Sequence, residues 1–185
     1  MKKYIICSDV HGSIDTFRNV VDYFLKNGCD KLIILGDLLY HGPRNDIPDG
    51  YNPKEVIKLV NSIKDKVIMV KGNCESEVDE MVLDFRIFKK RKIKYLNRNI
   101  YLEHGHHLDF NHNCYISGDI VFYGHTHISK FDVINGVSYI NPGSVTIPKN
   151  NTKKSFVVLD GYMCNLVDLN GNRIEEFSLF EKEGD

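Results

Sequence analysis

Three observations in the sequence predict an α/β fold. Short apolar runs recur: Tyr4-Ile5-Ile6-Cys7, Leu32-Ile33-Ile34-Leu35, Val67-Ile68-Met69-Val70 and Ile120-Val121-Phe122-Tyr123. They lack the alternation of half-exposed strands and read as strands buried on both faces. Segments of helical period separate the first three, which asks for parallel, right-handed β-α-β units. Each run also ends in a residue type that binds metal ions, where open α/β sheets place their ligands.

In chain order, the first run stops at Ser8-Asp9-Val10-His11-Gly12. In an extended segment residues two apart point the same way, so Asp9 and His11 can aim at one point. Ser13 is the expected N-cap of a helix with Ile14, Phe17, Val20, Val21, Phe24 and Leu25 inward, ended by Asn27-Gly28. The second strand ends in Gly36-Asp37. Alone, Asp37 would read as a turn or N-cap residue; the company of the other strand ends favours a ligand. The loop 41–50 that follows is too rich in Gly, Pro and Asp for regular structure. It carries His41 and Arg44, and the Arg44 fork suits a phosphate or carboxylate.

Asn52-Pro53-Lys54-Glu55 reads as N-cap, N1 proline and capping-box Glu of a helix burying Val56, Ile57, Leu59, Val60 and Ile63. The third strand ends in Lys71-Gly72-Asn73-Cys74-Glu75, offering the Asn73 amide oxygen. Ser76 should cap a short helix with Val78, Met81 and Val82 inward. The basic stretch 86–98 is expected to be a solvated edge or hairpin arm rather than a steering patch. A hairpin is expected around Asn97-Arg98-Asn99. Its second strand runs into His104-Gly105-His106-His107, and the fourth apolar run into Gly124-His125-Thr126-His127. Paired histidines at two strand ends are hard to explain as packing, and i, i+2 spacing puts His125 and His127 on one side. The rest is β-rich, with a hairpin at Asn135-Gly136, a turn at Asn141-Pro142-Gly143-Ser144 and turns near Gly161 and Gly171. The acidic tail from Glu181 is expected to fray.

Size and composition narrow the class. At 185 residues the chain suits one domain, taken as 1–185, and 42% hydrophobic with 26% charged residues is ordinary for a soluble protein. A net charge of −1 gives no global pull toward nucleic acid or anionic membranes, and no apolar run is long enough to span a bilayer. A cytoplasmic location is expected. The five scattered cysteines form no disulfide framework.

The strand ends thus offer Asp9, His11, Asp37, Asn73, His104, His125 and His127. Seven N/O ligands without a thiolate exceed one metal's needs and suit two first-row ions bridged by a carboxylate. The order D-x-H, G-D, G-N, H-G-H, G-H-T-H resembles the calcineurin-like metallophosphoesterase superfamily. The stretches H-G-P-R-N, G-N-C-E and I-N-P-G-S narrow the resemblance to small bacterial phosphodiesterases of the YfcE type. The resemblance implies a four-layer α/β/β/α sandwich of two mixed sheets. It implies Asp9, His11 and His127 on one divalent ion, Asn73, His104 and His125 on the other, and Asp37 between them. Manganese is the expected ion, with zinc, iron, cobalt or nickel also accepted by such ligands. A metal-bridging hydroxide would attack a small phosphodiester in line. The resemblance also places Cys74 where most of the superfamily has a histidine acid, with His41 as a rival acid and Arg44 as a phosphoryl contact. A catalytically weak scaffold, like the retromer subunit of this fold, is the alternative; the complete ligand set favours an enzyme. No strong nucleic-acid binding is expected, and a homo-oligomer is compatible with the sequence.

Overall fold

In the computed structural model, which describes residues 2–179, the apolar runs become strands whose two faces feed different cores. Strand β1 (Lys3–Cys7) pairs parallel with β2 (Lys31–Ile34), and β2 with β3 (Val67–Val70). Ile5, Cys7, Leu32 and Ile34 face helices α1 (Ile14–Lys26) and α2 (Pro53–Asn61). Ile6, Ile33 and Val70 face the other way. Burial on both sides is why these runs carry no polar alternation.

The first sheet has the order β12-β11-β10-β1-β2-β3-β4, with β4 at Ile87–Phe88, β10 at Ser155–Asp160, β11 at Met163–Asp168 and β12 at Arg173–Ser178. The second has the order β5-β6-β7-β9-β8. Its strands are β5 (Arg91–Tyr95), β6 (Arg98–Leu102), β7 (Ile120–Phe122), β8 (Ser129–Ile134) and β9 (Val137–Pro142). Both sheets are mixed. They meet in a core where Ile6, Ile33 and Val157 pack with Ile100, Leu102, Phe122 and Ile140. Two mixed sheets flanked by helices match the architecture implied by the resemblance. Over the five-stranded sheet, however, the covering layer is the irregular segment 103–119, whose Leu108, Phe110 and Tyr115 pack on Tyr123 and Tyr139. No helix of the described residues is long and apolar enough to cross a membrane.

Several local expectations are corrected. Leu25 is 54% exposed and lies outside the buried stripe of α1. The Ser13 hydroxyl donates to Asp49 O (2.8 Å) instead of capping α1. Asn52 does cap α2, accepting from Glu55 N; Val56 and Val60 are its buried residues, with Ile57, Leu59 and Ile63 half-buried. Helix α3 (Glu77–Val82) turns Val78, Met81 and Val82 outward and buries Asp79, whose carboxylate accepts from Ser76 N and Oγ. The β5–β6 turn is the two-residue Leu96-Asn97, because Tyr95 pairs with Arg98. The predicted Asn135-Gly136 turn joins β8 to β9 with both residues at positive φ, 52° and 75°. Strand β9 continues through Asn141 and Pro142, so the turn there begins at Gly143. The tail from Glu181 lies outside the described residues.

Candidate metal centre

The carboxyl ends of β1, β2, β3, β6 and β7 converge, and their loops bring the ligand-type side chains together. The backbone does this differently from the extended geometry expected. Asp9, His11, Asp37, His125 and His127 all adopt positive φ, between 48° and 68°. Each is a tight reversal that aims one side chain into the cleft. Asp and His tolerate this region better than most residues.

Asp9 and His11 meet His127 on one side. His127 Nε2 lies 3.2 Å from Asp9 Oδ1 and 3.2 Å from His11 Nε2, and His11 Nε2 is 3.7 Å from the same Asp9 oxygen. On the other side, His104 Nε2 lies 3.1 Å from Asn73 Oδ1 and 3.4 Å from Asp37 Oδ2. Asp37 Oδ2 is also 3.9 Å from His11 Nε2, so one oxygen faces both clusters. The His125 ring packs 5.2 Å from that of His104. All seven candidate ligands are brought to one place.

The hydrogen-bond accounting shows whether a cation fits. His11 Nδ1 donates to Tyr40 O (2.8 Å), His104 Nδ1 to Leu35 O (2.7 Å) and His127 Nδ1 to Ile147 O (2.9 Å). A carbonyl can only accept, so these Nδ1 atoms carry a proton and each ring, when neutral, presents an Nε2 lone pair inward. Lone pairs therefore face carboxylate and amide oxygens, and Asp9 Oδ1 is buried without a hydrogen-bond donor. Such a set of acceptors needs positive charge among them, supplied by protons or by a metal ion. The groups Asp9-His11-His127 and Asp9-Asp37-His104 each have ligand atoms within 4.8 Å of one another. Backbone carbonyls thus orient the imidazoles, a common partner for metal-binding histidines.

Titration follows the same logic. Burial opposes the His104 imidazolium, yet the bond to Asp37 and the fields of Asp9 and Asp37 raise it to about 9. Burial would raise the Asp9 carboxyl, but His11 and His127 hold it well below the usual carboxylate range. Burial, reinforced by the Asp37 charge, pushes the Cys74 thiol up to about 12.

Several contacts hold these loops. Cys74 N donates to Asp37 Oδ1 (2.9 Å), leaving Oδ2 for the cleft. The buried Glu75 carboxylate accepts from Asp37 N (3.0 Å), Leu38 N (2.7 Å) and Gly72 N, tying the ends of β2 and β3. Gly72 must be glycine, since a Cβ there would meet Asp37 Oδ1 at 2.1 Å. Asn141 Nδ2 donates to Gly124 O and Thr126 Oγ1, and Ser144 Oγ to Asp9 O (2.7 Å). The I-N-P-G-S stretch therefore locks the first and last ligand loops together.

A cavity of about 430 Å³ opens over the cluster, with Arg44, Cys74 and Lys149 on its walls. Arg44 has no ion-pair or hydrogen-bond partner among the described residues, so it does not pin its loop. His41 is placed elsewhere: its ring packs edge-on between Tyr40 (4.6 Å) and Tyr51 (5.3 Å). His106 stacks near His104 and His125, whereas His112 is exposed and pairs with Asp109. Sequence reasoning missed Glu75 and Lys149. Glu75 directly follows the G-N-C stretch, which was its only signal; Lys149 follows a proline in a loop and had none.

A family model, the calcineurin-like phosphoesterase superfamily domain, matches residues 2–161. The chain belongs to that superfamily. It is therefore a hydrolase of phosphoric esters. Phosphodiesterase YfcE of Escherichia coli K12 is 38% identical over 176 residues, covering 94% of this chain and 96% of the relative. The solved structure of the E. coli YfcE phosphoesterase superposes with a TM-score of 0.92 at 36% identity, covering 96% of this chain and all of that one. Wild-type Vps29 of Entamoeba histolytica, solved in complex with zinc, shares the superfamily fold at a TM-score of 0.64 and 19% identity, covering 96% and 99% of the two chains.

Proposed function

We propose that the chain is a phosphodiesterase that hydrolyses small phosphodiesters with two divalent ions bound at the strand ends. Asp9, His11 and His127 would hold one ion, Asn73, His104 and His125 the other, and Asp37 would serve both. The observation that carries this reading is the pair of facing imidazole nitrogens, His11 Nε2 and His127 Nε2, beside the undonated Asp9 Oδ1. The similarity to YfcE along nearly the whole chain supports the diester class. Manganese is the ion we favour. Bound there, such ions would bring a water toward neutral pKa as nucleophile and polarise the phosphoryl oxygens.

The chain's own residues do the rest. Asp37 is fixed by Cys74 N, so its free oxygen points at both clusters. Three carbonyls hold the imidazoles in one tautomer, with no reorientation needed on loading. Arg44 presents its fork to non-bridging phosphoryl oxygens, and Lys149 adds charge on the same wall. Cys74 stands where a proton donor would be useful, but a thiol is a weak hydrogen-bond donor and a poor general acid for a departing alkoxide. Leaving groups that depart without a proton are therefore preferred. In this reading the chain is one domain working in the cytoplasm. The intact acceptor cluster favours this over a scaffold of the same fold.

The test is hydrolysis of bis(p-nitrophenyl) phosphate after chelation and re-addition of manganese, zinc, iron, cobalt or nickel, with metal counted per chain. Two ions should accompany restored activity, and Asp37→Asn should lose most of it while staying folded. Full activity with one ion or none would refute the two-ion reading.

A further inference from the structure

The basic stretch 86–98 separates into three parts in space. Arg86 and Arg91 lie on the ring of Phe88, at 4.9 and 4.4 Å from its centroid. Lys92, on the edge strand β5, covers the Tyr101 ring of β6. These fit the expectation of a solvated edge. Lys89 and Lys90 do something else. They line a second cavity, of about 560 Å³, that Asn73 and His104 also line. Asn73 also lines the cavity over the cluster, so the candidate ligands stand between two cavities.

The second cavity is cationic. Lys71 pairs with Glu80 (2.8 Å) and Lys90 with the buried Glu103 (2.6 Å), so both of these lysines already have a carboxylate partner. Exposed Lys89 has no ion-pair partner among the described residues. Three lysines therefore face two carboxylates, and one cation is left over. An adjoining hollow of about 530 Å³ shares all three lysines and adds Arg86. A surface meant only to discourage edge pairing needs no cavity beneath it. An excess of positive charge in a concave site concentrates anions.

We propose that this cavity is a subsite for a second phosphate of the substrate, carried on the ester arm that extends past Asn73, with Lys89 as its free counter-charge. The proposal rests on the phosphodiesterase reading above and names its substrate class: diesters bearing a further phosphate. Lys71 and Lys90 frame the subsite, and their own carboxylates keep them from collapsing onto the bound anion.

The experiment compares thymidine 5′-(p-nitrophenyl phosphate) with its 3′-phosphorylated form. One exposed charge contact is worth up to about fivefold. The 3′-phosphate should lower KM by about that factor at low salt, and the advantage should vanish at 0.5 M salt, where the screening length falls to a few ångströms. Lys89→Glu should abolish the preference while leaving bis(p-nitrophenyl) phosphate turnover unchanged. Binding of thymidine 3′,5′-bisphosphate to the metal-free protein, measured by calorimetry, reads the subsite without catalysis and should be lost in Lys89→Glu. Equal KM for the two esters, or bisphosphate binding that Lys89→Glu does not weaken, would overturn the proposal. Failure to hydrolyse either ester, with bisphosphate binding intact and lost in Lys89→Glu, would instead sink the phosphodiesterase reading and keep the anion site.

Discussion

Gly72→Ala is the smallest change that should disable the site. The added Cβ would lie 2.1 Å from Asp37 Oδ1, 2.7 Å from Asp37 N and 2.8 Å from Glu75 Oε2. Ordinary contact begins near 3.4 Å, so the ends of β2 and β3 must separate by about 1 Å. None of the three atoms can swing aside. Asp37 Oδ1 is bound by Cys74 N, and Glu75 is bound by three N–H groups. Misplacement of about 1 Å is worth on the order of a hundredfold in rate. Overpacking costs roughly 1–3 kcal/mol, which for a chain of this size lowers Tm by about 2–12 °C. Gly28→Ala is the matched control. Nothing lies within 4 Å of its added Cβ, but φ is +60°, so it loses about 1 kcal/mol by backbone strain far from the site. Thermal unfolding and bis(p-nitrophenyl) phosphate kinetics on both variants separate the effects. Gly72→Ala with wild-type kcat/KM would show that the contact between the β2 and β3 ends does not position Asp37.

Rates across a series of aryl and alkyl diesters should fall steeply with leaving-group pKa. Cys74→Ser should change aryl rates little, Cys74→His should flatten the slope, and His41→Ala should leave it alone; a shallow slope abolished by Cys74→Ala would reverse this. Arg44→Ala should lower kcat/KM by about tenfold, the worth of a charge-assisted hydrogen bond, and Arg44→Lys should recover only part; unchanged steady-state kinetics would remove Arg44 from the site. His104 is raised from 6.5 to about 9 without metal, against the pull of desolvation. Its contribution to stability is thus complete below pH 6.5 and lost as pH rises through 9. The metal-free chain should lose Tm over that window and release protons on taking up manganese; a flat Tm and no proton release would contradict the lone-pair accounting.

Much of this was legible in the sequence because buried parallel strands are continuous apolar runs and their ends are polar. That exposed β1, β2, β3 and β7, and with them Asp9, Asp37, Asn73, His125 and His127. Left-handed turns rather than extended backbone aim Asp9 with His11, and short polar side chains give no local sign of that choice. The inward side of helix α3 is not legible in the sequence because six residues define no stripe, and the Asp79 carboxylate bonded to Ser76 decides which side turns in. Glu75 was hidden because its partners are backbone N–H groups from Asp37, Leu38 and Gly72. The cavity beside Lys89 is hidden because it forms where the loops after β3, β4 and β6 meet, which no single segment signals.

Five residues around the site adopt left-handed backbone without being glycine. Each such residue costs on the order of 1 kcal/mol even where Asp and His soften the penalty. Together that approaches the lower end of the 5–15 kcal/mol by which domains are stable at all. At the site proposed here, catalytic geometry and thermal robustness therefore pull against each other at the same five positions. Replacing Asp9, His11 or His127 with glycine relieves torsional strain and the crowding of acceptors in one step. A descendant that stopped hydrolysing esters would face little thermodynamic resistance, and would have stability to spare for new surface mutations. Loss of chemistry with retention of shape is the downhill direction for this architecture.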